Sequence, residues 1–256
     1  MPSPAFPLIL AIASLTAGLT VRADGPDDII EPLETVEKLW DEGEFTEGGA
    51  SAADGSILFS DIGNRIMRFN PYTGETTVFR EPSGRANGMV MDPKGRLIVA
   101  EGANTGGGRR IALIDQDGRA RTLADRFEGK RFNSPNDVAI DGHGRIYFTD
   151  PRYVGDEPRE LDFEAVFRID PDGRVTRLKT TAKKPNGIVV SPDGKTLYVA
   201  DNGPERRALL AMELEDDGDV DDPKVIHEFE PGDGIDGMTV TVDGRIVAAT
   251  PKGVVV

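Results

Sequence analysis

The chain has 256 residues, 38% of them hydrophobic, and a formal net charge of −15. So large an acidic excess argues against nucleic acid or an anionic membrane as partner, because both need a basic surface. With no cysteine and only two histidines, His143 and His227, the chain cannot form disulfides, thiolate nucleophiles, or cysteine- or multi-histidine-held metal centres; any bound metal must be held by oxygen, which points to calcium or magnesium.

In chain order, the first element is the apolar run PLILAIASLTAGLTV over Pro7–Val21. It is too short to cross a bilayer comfortably and suits the hydrophobic region of a signal peptide. Val21-Arg22-Ala23 fits a small-residue cleavage site, so residues 1–23 are read as a signal peptide, although no Lys or Arg precedes the run. The expected localisation is secreted or periplasmic, with no membrane association after cleavage; the alternative is an uncleaved apolar arm packed on the domain. Residues 24–46 are read as an arm leading into the main domain, which is expected to span residues 47–256. Helical periodicity is confined to Glu31–Trp40 within that arm.

A repeat organises the rest. A short turn ending in glycine precedes a β-rich run at ADGSILFSD, PKGRLIVAE, GHGRIYFTD, PDGKTLYVAD and VDGRIVAAT. The turn glycines are Gly55, Gly95, Gly144, Gly194 and Gly244, spaced by 40, 49, 50 and 50 residues. Glycine supplies the positive φ of a tight hairpin, and runs such as Ile146–Thr149 are β-branched or aromatic. A third apolar run and an outer strand, such as Val175–Leu178, complete each unit. Four strands per 40 to 50 residues is the period of propeller blades. The predicted fold is all-β, of the propeller type. The fifth unit, from Asp236 to Val256, is expected to hold about two strands, so about four and a half blades are anticipated.

Eight residues before the turn glycines stand Glu47, Asn87, Asn136, Asn186 and Asp236. Each carries a side-chain oxygen, and the innermost strand of a propeller blade lines the central channel. Equivalent positions there would converge on one axis, which suits a hard cation. The competing reading is five Asx or hairpin turns, because Asn-Gly is a common turn former. Glu47 is a poor turn former, and the offset holds in all five units; both favour the axial site.

RFNSPNDVAIDGHGRIYFTDP (Arg131–Pro151), supported by FREPSGRANGMVMDPKGRL, KPNGIVVSPDGKTLYVAD and DGIDGMTVTVDGRI, resembles the senescence-marker-protein/gluconolactonase family, above all its bacterial gluconolactonases. The resemblance covers roughly Leu39–Thr250. It implies a six-bladed propeller, hence a chain lacking its C-terminal part, with one axial calcium and hydrolysis of a small-molecule sugar lactone. By the same resemblance, Glu47, Asn136, Asn186 and Asp236 match metal ligands, Asn136 and Asn87 substrate contacts, and Asp137 an acid implicated in activity. Glu47 departs from the family pattern in being followed by Gly48-Gly49. Calcium acidifies water weakly, so a carboxylate base is needed, and Asp137 is assigned with Asp236 as second choice. For Asp137 the competing role is orienting its neighbours.

Other motifs carry less. Asp217, Asp219 and Asp221 imitate the start of an EF-hand loop, but Asp222 stands where glycine is required, so a hairpin turn is expected. Gly102–Gly108 lacks the Lys-Ser/Thr of a phosphate loop and is expected to be a flexible loop. His143 is placed in a turn, His227 on an outer strand, and the pairs Arg109-Arg110 and Lys183-Lys184 in solvent. The alternative function is a non-catalytic propeller that binds partners or ligands; the acidic residues of units one and five argue against it. Specificity is expected in loops such as Asp150–Phe163.

Overall fold

The computed structural model describes residues 37–104 and 106–256. The signal-peptide reading and the beginning of the arm lie outside the described residues. Among the described residues every regular element is a β-strand.

Blade one contains β1 (Thr46–Ser51), β2 (Ile57–Asp61), β3 (Arg65–Asn70) and β4 (Glu75–Arg80). Blade two contains β5 (Ala86–Met91), β6 (Leu97–Glu101), β7 (Arg110–Ile114) and β8 (Ala120–Ala124). A two-stranded ribbon, β9 (Arg126–Phe127) and β10 (Lys130–Arg131), leads into blade three: β11 (Val138–Ile140), β12 (Ile146–Asp150), β13 (Ala165–Ile169) and β14 (Val175–Arg177). Blade four holds β15 (Pro185–Val190), β16 (Thr196–Asn202), β17 (Arg207–Glu213) and β18 (Lys224–Glu228), and blade five β19 (Met238–Val240), β20 (Ile246–Thr250) and β21 (Gly253–Val255). Each blade is an antiparallel meander, and the inner strands β1, β5, β11, β15 and β19 stand side by side in that order. This is a propeller arrangement with five blades. The fifth has three strands, not about two, because Gly253–Val255 folds back on β20.

The turn chemistry sets this layout. All five turn glycines adopt the left-handed conformation that a residue with a Cβ rarely takes. The core lies between neighbouring blades. That is why β2, β6, β12 and β13 are buried along their whole length while the outer strand β18 is exposed throughout. Between blades two and three Ile98 and Ile111 pack with Phe148, Phe167 and Phe132, and the Phe132 and Phe148 rings meet edge-on at 5.0 Å. Between blades three and four, Tyr147 and Val166 meet Ile188, Val199 and Leu210. The arm contributes packing, with Trp40 against Phe59 on blade one at 5.3 Å, and residues 37–43 form no strand.

Several expectations need correction. Arg109 is 5% exposed, not solvated: its Nε donates to Phe132 O at 2.8 Å, and Arg110 pairs with buried Glu101 at 2.6 Å. The Gly102–Gly108 segment is a loop, as expected, and its ends are bonded, Gly102 N–H to Arg85 O and Gly108 N–H to Gly84 O, both at 2.9 Å. Lys184 is half-buried, with its ammonium over the Tyr153 ring. The Asp217 segment is the β17–β18 hairpin, His143 sits in a turn and His227 lies on β18, all as expected.

Candidate active site

Three of the four X-Gly pairs at the axial positions lie inside strands, and the turn reading fails for them. From Glu47 to Ala50 is a step of three residues, matched by a step of two from Ser60 to Leu58 on the neighbouring strand. The same three-against-two step occurs from Ala86 to Met89 and from Pro185 to Ile188. Each is a β-bulge, which re-aims the side chain beside it. Asn136 and Asp236 sit just before β11 and β19, and their N–H groups bond Thr149 O and Ala249 O, each at 2.9 Å.

Glycine follows four of the axial residues, and at three of them, Gly48, Gly88 and Gly187, the next blade touches the backbone there. Gly88 N–H donates to Asn136 O at 2.7 Å and Gly187 N–H to Asp236 O at 2.9 Å. A Cβ on Gly88 would collide with Asp137, and one on Gly48 with the Asn87 carbonyl. Blade three is the exception, with Asp137 in the glycine position. Its Oδ2 accepts from Ile188 N–H of blade four at 2.9 Å, and its Oδ1 from Val138 N–H at 2.8 Å. The inner strands of blades two to five are thus joined in series, and Asp137 is one of the joints.

The side chains at this axis are mutually aware. Asn186 Nδ2 donates to Asp236 Oδ1 at 2.9 Å. The Asn87 side chain hydrogen-bonds Glu47. Asn136 and Asn186 are buried, Glu47, Asn87 and Asp137 half-buried, and Asp236 exposed. Burial pushes Glu47 up to about 8; repulsion from Asp236 and Asp137 adds to this, and Arg85 and Asn87 oppose it. Burial likewise pushes Asp137 up to about 7, against its two backbone donors, with Asp236 again adding. Glu47, Asn87, Asn186 and Asp236 are thus linked with Asp137 through these interactions, and Asn136 adjoins them through its backbone carbonyl, which accepts from Gly88 N–H.

The donor set suits a hard cation: oxygen only, with two carboxylates, Glu47 and Asp236, and two amides, Asn136 and Asn186. Acids that raise one another's pKa fit a site built around a positive charge. Among the described residues no three Asp, Glu or His side chains form a ready-made metal cluster.

A pH dependence follows. An acid whose folded pKa is raised binds more protons folded than unfolded, so its contribution is harmless below the unfolded value and destabilising as pH climbs through the folded one. Glu47, Asp137 and the buried Asp150, also pushed up to about 7, share this sign, while Asp92 and Asp141, held low, titrate beneath the window. In chelator the melting temperature is expected to fall as pH rises from about 5 to about 8. In calcium the fall should shrink to the share of Asp150, which lies outside the proposed site, because a bound cation favours the ionised forms of Glu47 and Asp137. A melting temperature that climbs over this range in chelator would contradict the assignment.

A second ring of acids was not singled out from the sequence. Asp61, Glu101, Asp150 and Asp201 end the second strand of blades one to four and are almost fully buried. Asp150 accepts from Asn133 and Ser134 N–H at 2.8 and 2.7 Å, and Asp201 from Lys183 and Lys184 N–H at 2.9 Å each. Asp61 takes Glu44 N–H at 3.0 Å. Asp61, Asp150 and Asp201 hold the backbone two or three residues before an axial side chain, whereas Glu101 accepts from the Arg110 guanidinium. Their signal was present as the acid closing FSD, IVAE, FTD and VAD.

The family described as SMP-30/Gluconolactonase/LRE-like region matches residues 45–256. A gluconolactonase of Zymomonas mobilis is 31% identical over 91% of this chain and 71% of its own. A pentonolactonase of Haloferax volcanii is 30% identical over 74% of this chain and 60% of its own length. A solved gluconolactonase of Xanthomonas campestris superposes with a TM-score of 0.75 at 31% identity, covering 82% of this chain and 71% of that one.

Proposed function

Because this chain belongs to the SMP-30/gluconolactonase/LRE-like family, we propose that it hydrolyses a sugar lactone at the axial cluster, with calcium as cofactor. The observation that carries the proposal is the mutual electrostatic influence of Glu47, Asp137 and Asp236, with Asn87 bonded to Glu47 and Asn186 to Asp236. The activities named for the bacterial and archaeal relatives support the lactone as substrate. A propeller that only docks partners has no use for three carboxylates held in mutual repulsion. The apolar run at residues 7–21 supports export of the enzyme from the cytoplasm.

Glu47, Asn136, Asn186 and Asp236 are the residues that would hold calcium, which supplies a Lewis acid for the lactone carbonyl and charge to balance the developing oxyanion. The remaining work falls to the chain. Asp137 takes a proton from the attacking water. Burial makes it a stronger base than an ordinary carboxylate, and each of its oxygens, with one backbone donor apiece, keeps a lone pair for that proton. Asn87 fixes Glu47 by hydrogen bonding and faces the substrate together with Asn136. Asp236, the exposed acid, is the second candidate for the base. The two backbone bonds of Asp137 favour a structural contribution as well, so the residue both joins blades and accepts the proton.

The test is proton release from an aldonolactone at constant pH. Added protein is expected to accelerate ring opening well beyond the spontaneous rate, and excess chelator to abolish the acceleration. Opening at the spontaneous rate in the presence of calcium would overturn the proposal.

A further inference from the structure

The connection from β12 to β13, residues 151–164, arches towards blade four and carries Tyr153. Tyr153 is anchored on two sides. Its phenol hydrogen-bonds the Asn202 side chain, and the Lys184 ammonium lies 4.6 Å from the centre of its ring. Both anchors belong to the axial framework. Asn202 Nδ2 donates to Ile235 O at 2.8 Å, and Ile235 directly precedes Asp236. Asn202 N–H donates to Lys184 O at 2.9 Å. Lys184 has its own N–H held by Asp201 and stands two residues before Asn186. The charge of Asp236 helps burial hold the phenol pKa high, which puts Tyr153 within electrostatic reach of the axis.

These anchors fix the aromatic ring, the ammonium lying over one face, and still leave Tyr153 44% exposed. An aromatic side chain held rigid and half-exposed next to a polar centre is a recognition surface: it offers apolar area at little conformational cost. Its neighbour adds the complementary chemistry. Lys184 brings donors and a positive charge close to the axial acids, suited to hydroxyl oxygens and to the carboxylate released by ring opening.

We infer that Tyr153 and Lys184 form the wall that recognises the hydroxylated ring of the lactone, setting specificity rather than driving bond cleavage. This rests on the lactonase reading above and goes further by assigning sugar selection to two residues outside the axial cluster. The ring face of Tyr153 packs on the C–H face of the sugar, and Lys184 donates to its hydroxyls.

The experiment compares kcat/KM for an aldonolactone and for δ-valerolactone, which has the same ring without hydroxyls, in the full-length protein with calcium. Tyr153→Ala and Lys184→Met are each expected to lower the aldonolactone value about tenfold more than the δ-valerolactone value, mainly through KM, as when a site loses its partner for a substrate hydroxyl or ring. Tyr153→Phe, which keeps the ring, should retain most of the discrimination. Equal losses on both substrates, or a Tyr153→Phe variant as indiscriminate as Tyr153→Ala, would overturn the inference while leaving the lactonase reading intact. Failure of the unaltered protein to hydrolyse either lactone would remove both.

Discussion

Glu47→Gln and Asp236→Asn are each expected to abolish calcium binding and to cut lactone turnover on the order of a thousandfold, the scale seen when a preorganised electrostatic stabiliser is removed. Both changes keep the shape of the side chain and delete one charge. Only two of the four proposed ligands are charged, and a hard cation that gives up its water needs that charge more than it needs the amides. The same variants make a second prediction of opposite sign. In chelator, Glu47 sits at about 8 because it is buried beside Asp236 and Asp137. Removing either member of this repelling group relieves the strain, so each variant should melt above the unaltered protein in chelator at pH about 8 and below it in calcium. Thermal melting in both buffers reads this crossover. Variants that melt lower than the parent in both buffers would point to a purely structural role.

Asp137→Asn should lower kcat by about a hundredfold or more while calcium still binds, because a general base contributes on that order and no ligand is lost. Asparagine retains one oxygen acceptor, so part of the tie to Ile188 and Val138 survives. Asp137→Ala removes both acceptors and leaves two strand N–H groups without partners, each costing about 1–3 kcal/mol if no water reaches it. The alanine variant should therefore lose stability as well as turnover, and the asparagine variant mostly turnover. Titration of calcium against each, together with the rate at saturating lactone, separates the roles. If Asp137→Asn loses calcium as completely as Asp236→Asn, Asp137 is a ligand; if it keeps full kcat, the joint between blades is its whole function.

The blade period was legible because each hairpin needs a glycine with positive φ, and Gly55 to Gly244 mark every turn at near-constant spacing. The axial positions were legible for the same reason, since a fixed offset from a fixed turn lands on a fixed face. What they do locally was not. Asn87-Gly88 and Asn186-Gly187 read equally well as turns, and only pairing with the next strand reveals the bulge. Asp137 was recognisable as an exception to the glycine rule, but its bond to Ile188 crosses 51 residues and has no local trace. Arg109 and Lys184 defeat composition-based reasoning altogether: charged pairs suggest solvent, whereas a long loop folds over the first and an aromatic ring lies under the second. The third strand of blade five was missed because Gly253–Val255 is only three residues long.

The account stands or falls on whether the axial cluster is one cation site. Calorimetric titration of the chelator-stripped protein with calcium tests this most directly. The result expected is a single site per chain, with protons released on binding at pH about 7, since Glu47 and Asp137 must ionise when the cation arrives. The proton release should vanish as the titration is repeated above about pH 9, where both acids are already charged. No binding heat, or binding unaccompanied by proton release and unaffected by Glu47→Gln, would contradict the assignment of calcium to these residues.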